Sequence, residues 1–412
     1  MRRVLAVQLA RFGDLAQSKR LLLSMAGGAE TEVHLCLDRS LIPLARLLYP
    51  FAVAHGLPAH RGDGRPEGVF TFCRESFAAL RELDFSEVYF LNFSPMTFTC
   101  AALFDPEQCR GYARARGQDL RSGQASLAFN FMRDRRFSPV NLADLWAFFH
   151  PDPVAPEKVN PIAHPAGTGC VGIIPAGRQA RRSLPPQVLA ACVQSVFRAL
   201  GGPRLLCLGA EEDRAAARRL KRELPMRIAE KLEDLTGKTS LTDLPDILRG
   251  LDMLLTPDTG VMHLAAHLGT PLQAFFLSSA WCFETGPYGM GHRVWQAAEA
   301  CSPCLESAPC PRNVACLSPF SHPAFLAHLA GKFSPYWPEG LLGCVSALDD
   351  FGATCKVVDG GNPYADAARE LRAGLAEHFG LPGAGASGMG PRNAGFLFRE
   401  KDWMLPENWK HA

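Results

Sequence analysis

Between residues 253 and 277 the chain reads as strand, turn, helix, turn and strand with almost nothing left over. Residues 253–255 are an apolar strand, Pro257-Asp258-Thr259-Gly260 turns, residues 261–268 carry helical spacing, Gly269-Thr270-Pro271 stops the helix, and residues 272–277 form the next strand. Two strands joined by so short a helix lie parallel, because the helix packs back across the sheet and returns the chain to the same edge. Asp258 or Thr259 can cap the helix, and Gly260 removes the side chain that would keep a ligand from its first N–H groups. Those donors, with the positive end of the helix dipole, suit an anion at the carboxyl edge of a parallel sheet, where α/β proteins hold nucleotides. A cap alone needs no ligand, so the two readings stand level on physical grounds.

The same alternation recurs on both sides. Near the N-terminus residues 4–7 read as a strand, Arg11-Phe12-Gly13-Asp14 as a turn and residues 15–25 as a helix; strands are expected at 32–37 and 87–92, with helical spacing at 40–48 and 76–83. A proline-rich stretch over 150–169 breaks the pattern and suits a linker. The pattern then restarts with strands at 170–174 and 204–208 and helices at 186–200, 211–224 and 244–250. At 412 residues the chain is too long for one ordinary core of about 150 residues. The expected architecture is therefore α/β: two Rossmann-like doubly wound lobes facing a central cleft, with residues 1–155 in the first, 168–330 in the second and 331–412 in a C-terminal extension. That extension turns irregular, with a Gly/Ala/Pro stretch over 381–395 and a tail carrying Trp403 and Trp409, and it reads as a segment packed across the lobes.

Charge excludes some functions. With 43 basic against 41 acidic residues the net charge is +2, so no global field recruits nucleic acid or an anionic bilayer, and any anion site is local. No apolar run approaches the roughly 18 residues that span a membrane. Met1-Arg2-Arg3 leads into a strand interrupted by Gln8 rather than into an apolar leader, and most of the 14 cysteines sit singly in apolar runs, so a reducing cytoplasm is expected. His263 and His267 share a helix face but lack an acidic or third ligand, so no metal is expected there. Cys301, Cys304, Cys310 and Cys316 form one dense cluster, read as free thiols or a redox-labile pair rather than as a zinc site. No turn supplies Gly-x-Gly-x-x-Gly, which disfavours a dinucleotide-dependent oxidoreductase.

Leu235-Thr236-Gly237-Lys238-Thr239-Ser240-Leu241, then Asp258-Thr259-Gly260-Val261-Met262-His263-Leu264-Ala265-Ala266, then Gly269-Thr270-Pro271 resembles glycosyltransferase family 9, the lipopolysaccharide heptosyltransferases. The resemblance implies the GT-B fold and an inverting, metal-independent transfer from a nucleotide-diphosphate sugar, typically ADP-heptose, held in the C-terminal lobe, with no cofactor. It implies a lipid-linked or other glycan as acceptor, at most peripheral contact with the inner membrane, and no nucleic-acid partner. Gly13-Asp14 is similar to the family's Leu-Gly-Asp turn, which makes Asp14 the implied general base and Gly13 an acceptor-side residue. Arg182 falls where the family has a phosphate-binding lysine, and Glu211 matches a strand-end Gly-Ala-Glu directed at the ribose, with Glu212 as its alternative. Asp258, Thr259, Gly260, Val261 and His263 complete the implied donor site. The sequence departs from the family at Arg11-Phe12, where small residues are usual, and at Leu184, where tryptophan is. A catalytically idle nucleotide-sugar-binding protein of the same fold is the alternative. Arg110, Arg114, Arg116, Arg121, Arg133, Arg135 and Arg136 either meet a phosphorylated acceptor or form a solvated face.

Overall fold

The computed structural model describes residues 1–28, 30–60, 66–115, 118–121, 123–131, 135–177, 180–304 and 308–381. Most of the glycine-rich stretch, Trp403 and Trp409, with Arg116 and Arg133, lie outside these residues.

Two sheets organise them. The first contains β1 (Arg2–Gln8), β2 (Thr31–Asp38), β3 (Ala52–Leu57), β4 (Glu87–Phe90), β5 (Cys109–Ala115) and β6 (Gln118–Arg121), in the order β3-β2-β1-β4-β5-β6. All pairs are parallel except β5 with β6. Alternate residues of β1 enter different cores: Val4 and Ala6 join Leu21, Leu35 and Trp146, while Leu5 and Val7 join Cys36, Leu80 and Phe90. Burial on both faces is why this strand reads as a continuous apolar run instead of an alternating one.

The second sheet contains β7 (Cys170–Ile173), β8 (Arg204–Cys207), β9 (Leu232–Asp234), β10 (Met253–Pro257), β11 (Leu272–Phe276), β12 (Arg293–Ala297), β13 (Leu341–Leu348) and β14 (Ala353–Asp359). Its order is β14-β13-β12-β11-β10-β7-β8-β9, with all pairs parallel except those that β13 makes with β12 and with β14, so that β13 alone runs against the rest. The region read as irregular therefore contributes the last two strands on one side of the sheet, and a helix at Ala365–His378 follows them. Leu371 and Leu375 of that helix pack with Leu127, Val140 and Phe148 of the first lobe, while Arg372 donates to the Pro139 carbonyl at 2.5 Å.

The single helix expected over 15–25 is two, Phe12–Gln17 and Lys19–Ala26. Ser18 divides them: its hydroxyl bonds back to the Asp14 carbonyl at 2.8 Å and takes a bond from the Gln8 side chain at 3.2 Å. A serine hydroxyl that bonds the preceding turn in this way bends or interrupts a helix. Likewise, the helix expected over 211–224 starts as a 3₁₀ turn at Glu211–Asp213 before Arg214–Glu223.

The lobes are joined at a buried polar node. Arg20, 2% exposed, donates to Asp144, which is fully buried, at 2.6 Å and to the Phe351 carbonyl at 2.8 Å. Asp144 also accepts from the Tyr288 hydroxyl at 2.7 Å and from the Ala353 amide at 2.8 Å, so one carboxylate ties both lobes and β14 together.

Candidate active site

Strand order reverses once in each sheet, between β1 and β4 in the first and between β7 and β10 in the second. A crevice opens outside the carboxyl ends at such a reversal, because the connecting helices leave on opposite faces. Gly13 and Asp14 lie in the first turn of the Phe12–Gln17 helix that follows β1; the loop after β7 carries Arg182; the turn after β10 carries Asp258 and Thr259 and leads into the helix that starts at Gly260. The two crevices face each other. A Cβ added to Gly13 would lie 2.8 Å from the Gly260 Cα and 3.4 Å from the His263 ring.

At the start of the Gly260–Leu268 helix the cap is Thr259, whose hydroxyl accepts the Met262 amide at 3.4 Å and pairs with Thr256 at 3.1 Å. Asp258 does a different job. Its carboxylate forms an ion pair with Arg182, which also donates to the Asp258 carbonyl at 3.0 Å, and His263 Nε2 lies 3.6 Å away. Burial would lift the Asp258 pKa, but the bond from His263 and the charges of Arg182 and Arg135 outweigh it and hold the carboxyl below its ordinary value. Val261 is half-buried at the edge of the core that contains Met262 and Leu264.

Approach to Gly260 is filled from within the chain. A Cβ there would lie 2.5 Å from the Phe12 ring, so the ring rests on the helix start that the sequence offers to a ligand. The departure from the family pattern at Arg11-Phe12 thus sits directly on the implied donor site. Leu184, the other departure, is a buried core residue packed with Ile173 and Leu189.

Asp14 accepts the Arg11 amide at 3.1 Å from within its own turn. Burial raises its pKa, against the pull of that amide and of His263. A carboxyl so placed holds a proton more readily than an exposed aspartate. Near Asp258 lies a group that sequence reading did not bring together: Arg135 of the first lobe donates to Glu284 at 2.6 Å and to the Ser279 carbonyl at 2.8 Å, both in the second lobe. Burial raises the pKa of Glu284 despite Arg135. Neither residue lies in a recognisable motif, and 149 positions separate them, so no local signal links them.

Glu211 stands apart at the carboxyl end of β8, with its side chain 66% exposed and paired to Arg214 at 2.7 Å. Its carboxylate abuts Gly237, whose φ of 67° and crowding by Glu211 exclude a side chain. Gly209 and Gly237 are themselves joined by a 2.9 Å backbone bond. The two segments that resemble the family therefore meet at one edge of the crevice.

His267 turns away from His263's partners. It stacks edge-on against Tyr49 of the first lobe at 5.6 Å, and burial lowers its pKa to about 3, which keeps it neutral. Of the clustered thiols, Cys301 is exposed, Cys316 is buried, and Cys304 lies 3.0 Å from the Ser278 hydroxyl. Bonds from the Val314 and Arg312 amides, with the Arg181 charge, lower the Cys310 pKa. Among the described residues no three His, Cys, Asp or Glu side chains gather in a metal-binding arrangement, and no helix is long and apolar enough to cross a membrane.

Two Rossmann-like lobes meeting crevice to crevice define the GT-B class. Residues 170–313, in the second lobe, match the sequence model of glycosyltransferase family 9 (heptosyltransferase), so the resemblance seen around Asp258 extends over that whole segment. A stretch of 75 residues is 29% identical to lipooligosaccharide heptosyltransferase 2 of Haemophilus influenzae, spanning 18% of this chain and 22% of that protein. Among solved structures, the glycosyl transferase family 9 protein of Veillonella parvula superposes with a TM-score of 0.56 at 15% identity, over 73% of this chain and 88% of that one. ADP-heptose lps heptosyltransferase II of E. coli gives 0.51 at 16% identity, over 71% and 90%. E. coli heptosyltransferase WaaC with ADP gives 0.52 at 14%, over 70% and 91%. Likeness at these identities is likeness of fold.

Proposed function

We propose that this protein is an inverting glycosyltransferase that moves a sugar from a nucleotide-diphosphate donor, ADP-heptose as in the family's members, to a lipopolysaccharide core or related glycan. In this reading residues 1–155 form the acceptor lobe and 168–330 the donor lobe, whose sheet the strands Leu341–Leu348 and Ala353–Asp359 extend, while the Ala365–His378 helix braces the first lobe. The reaction takes place in the cytoplasm, with at most peripheral contact with the inner membrane.

The observation that carries the proposal is the opposition of Asp14, in one crevice, to the Gly260–Leu268 helix start in the other, with His263 between them. An acceptor hydroxyl gives its proton to the Asp14 carboxylate while its oxygen attacks the anomeric carbon. The bond from that carbon to the diphosphate breaks on the opposite face, so the configuration inverts and the nucleoside diphosphate leaves with the electron pair. The helix N–H groups and Arg182, held in place by Asp258, receive the charge that develops on the leaving oxygens. Glu211 reaches the ribose. His263 stands at the sugar side of the diphosphate, and Thr259 and Val261 shape the helix start.

Transfer is measured by mass spectrometry with ADP-heptose and a core oligosaccharide, and donor affinity by calorimetry. Asp14→Asn is expected to lower turnover by about 10²–10⁴-fold with donor affinity nearly unchanged, whereas equal turnover by variant and wild type rejects the base. Arg182→Ala is expected to weaken donor binding. One observation favours the idle nucleotide-sugar-binding protein: Phe12 rests on Gly260. Donor binding without turnover in the wild type would establish that second reading.

A further inference from the structure

Resting on the transferase reading above, we propose that the first lobe holds one uncharged sugar ring of the acceptor in a cavity of about 550 Å³ lined by Phe93, Ser94, Pro95, Phe98, Thr99 and Arg114. The cavity follows β4, so it lies on the far side of the same strand-order reversal that places Asp14 after β1. One residue ties the two walls. Asn92 accepts from the Leu9 amide at 2.6 Å and donates to the Gln8 side chain at 2.6 Å, fixing the loop after β4 against the strand end that leads to the Asp14 turn. A sugar held there extends from the loop that borders the base.

The lining has the chemistry of a pyranose. Such a ring presents a face of C–H bonds and an edge of hydroxyls, and it needs an aromatic surface beside planar polar groups. Phe93 is 38% exposed and meets Phe98 edge-on at 4.9 Å, leaving aromatic surface to the cavity. The Arg114 guanidinium lies over the Phe98 ring at 4.5 Å and pairs with Asp119 at 2.7 Å. The paired charges cancel at long range, yet they set N–H donors beside a carboxylate acceptor. Hydroxyls, which both donate and accept, match that pair better than an isolated anion does. Thr99 donates its own hydroxyl to the Pro95 carbonyl at 3.0 Å, so its oxygen is an acceptor.

The test uses saturation-transfer NMR on the full chain, with a core oligosaccharide released from lipopolysaccharide, intact and dephosphorylated. Both forms should receive saturation from the wild type. Phe93→Ala should weaken binding of both by about fivefold or more. Thr99→Arg, at an exposed position, should block the cavity. ADP-heptose affinity should be the same in all three proteins. Equal saturation in the variants, binding of the phosphorylated form alone, or no binding by the wild type would each overturn the subsite. If the wild type binds oligosaccharide through these residues but not ADP-heptose, the subsite stands and the donor assignment falls.

Discussion

Asp144 joins the lobes, and replacing it with alanine should strip a buried guanidinium of its counter-charge. Arg20 is 2% exposed and Asp144 fully buried, so water cannot replace the lost partner unless the lobes part. Burial raises the pKa of Asp144 against the pull of Arg20, which marks the pair as one whose desolvation is large. Breaking such a pair from one side costs about 3–5 kcal/mol, or some two to four powers of ten in the folding constant. The Tyr288 hydroxyl and the Ala353 amide also lose their acceptor, which places the loss towards the upper end. Arg20→Met combined with Asp144→Leu removes both charges and should lose far less, because neither ion is left stranded. Urea titrations of the wild type, Arg20→Met, Asp144→Leu and the double variant, followed by circular dichroism, give the interaction energy from the cycle, with Asp144→Ala titrated beside them. If Asp144→Ala stays within about 1 kcal/mol of the wild type, the node does not hold the lobes and the reasoning fails.

Three further outcomes follow from the site. Gly13→Ala brings a methyl against the Gly260 backbone and should destabilise the closed lobes by about 1–3 kcal/mol by thermal denaturation; the three atoms nearest to a Gly260 Cβ all belong to the Phe12 ring, so Phe12→Ala should rescue Gly260→Ala but not Gly13→Ala. The folded Asp258 carboxyl titrates below its ordinary 3.8, so it adds stability above that value and loses it as pH falls through the lower folded pKa; acid unfolding of Arg182→Ala should therefore begin at higher pH, and an unshifted acid limb would refute the pairing. The Asp14 pKa is raised, so the acidic limb of the kcat/KM profile should lie above 3.8, and a limb below it would remove Asp14 as the titrating base.

Much of the framework was written locally. The run of strand, turn, helix and turn around Asp258 formed as the periodicity required, because a buried parallel strand and a capped helix each need only neighbouring residues. The same holds for the strand that precedes Gly13-Asp14 and for the restart of the pattern after the linker, whereas the expected turn at Gly13-Asp14 is already the first turn of the Phe12–Gln17 helix. Between two plausible caps, however, sequence could not choose: Thr259 took the helix because Asp258 was drawn to Arg182, 76 positions away.

What tertiary structure alone decided are the contacts whose partners lie far apart in the chain. Phe12 settles on Gly260, Arg135 crosses to Glu284, and Asp144 gathers Arg20, Tyr288 and Ala353 over separations of 124, 144 and 209 positions. The strands at Leu341–Leu348 and Ala353–Asp359 were hidden for a related reason: they pair antiparallel along an edge whose position depends on where β12 already lies. Periodicity records which face of an element is buried, since that follows from neighbours three or four residues away. It carries no record of which distant element covers that face, and in this protein the site lies where two such faces meet.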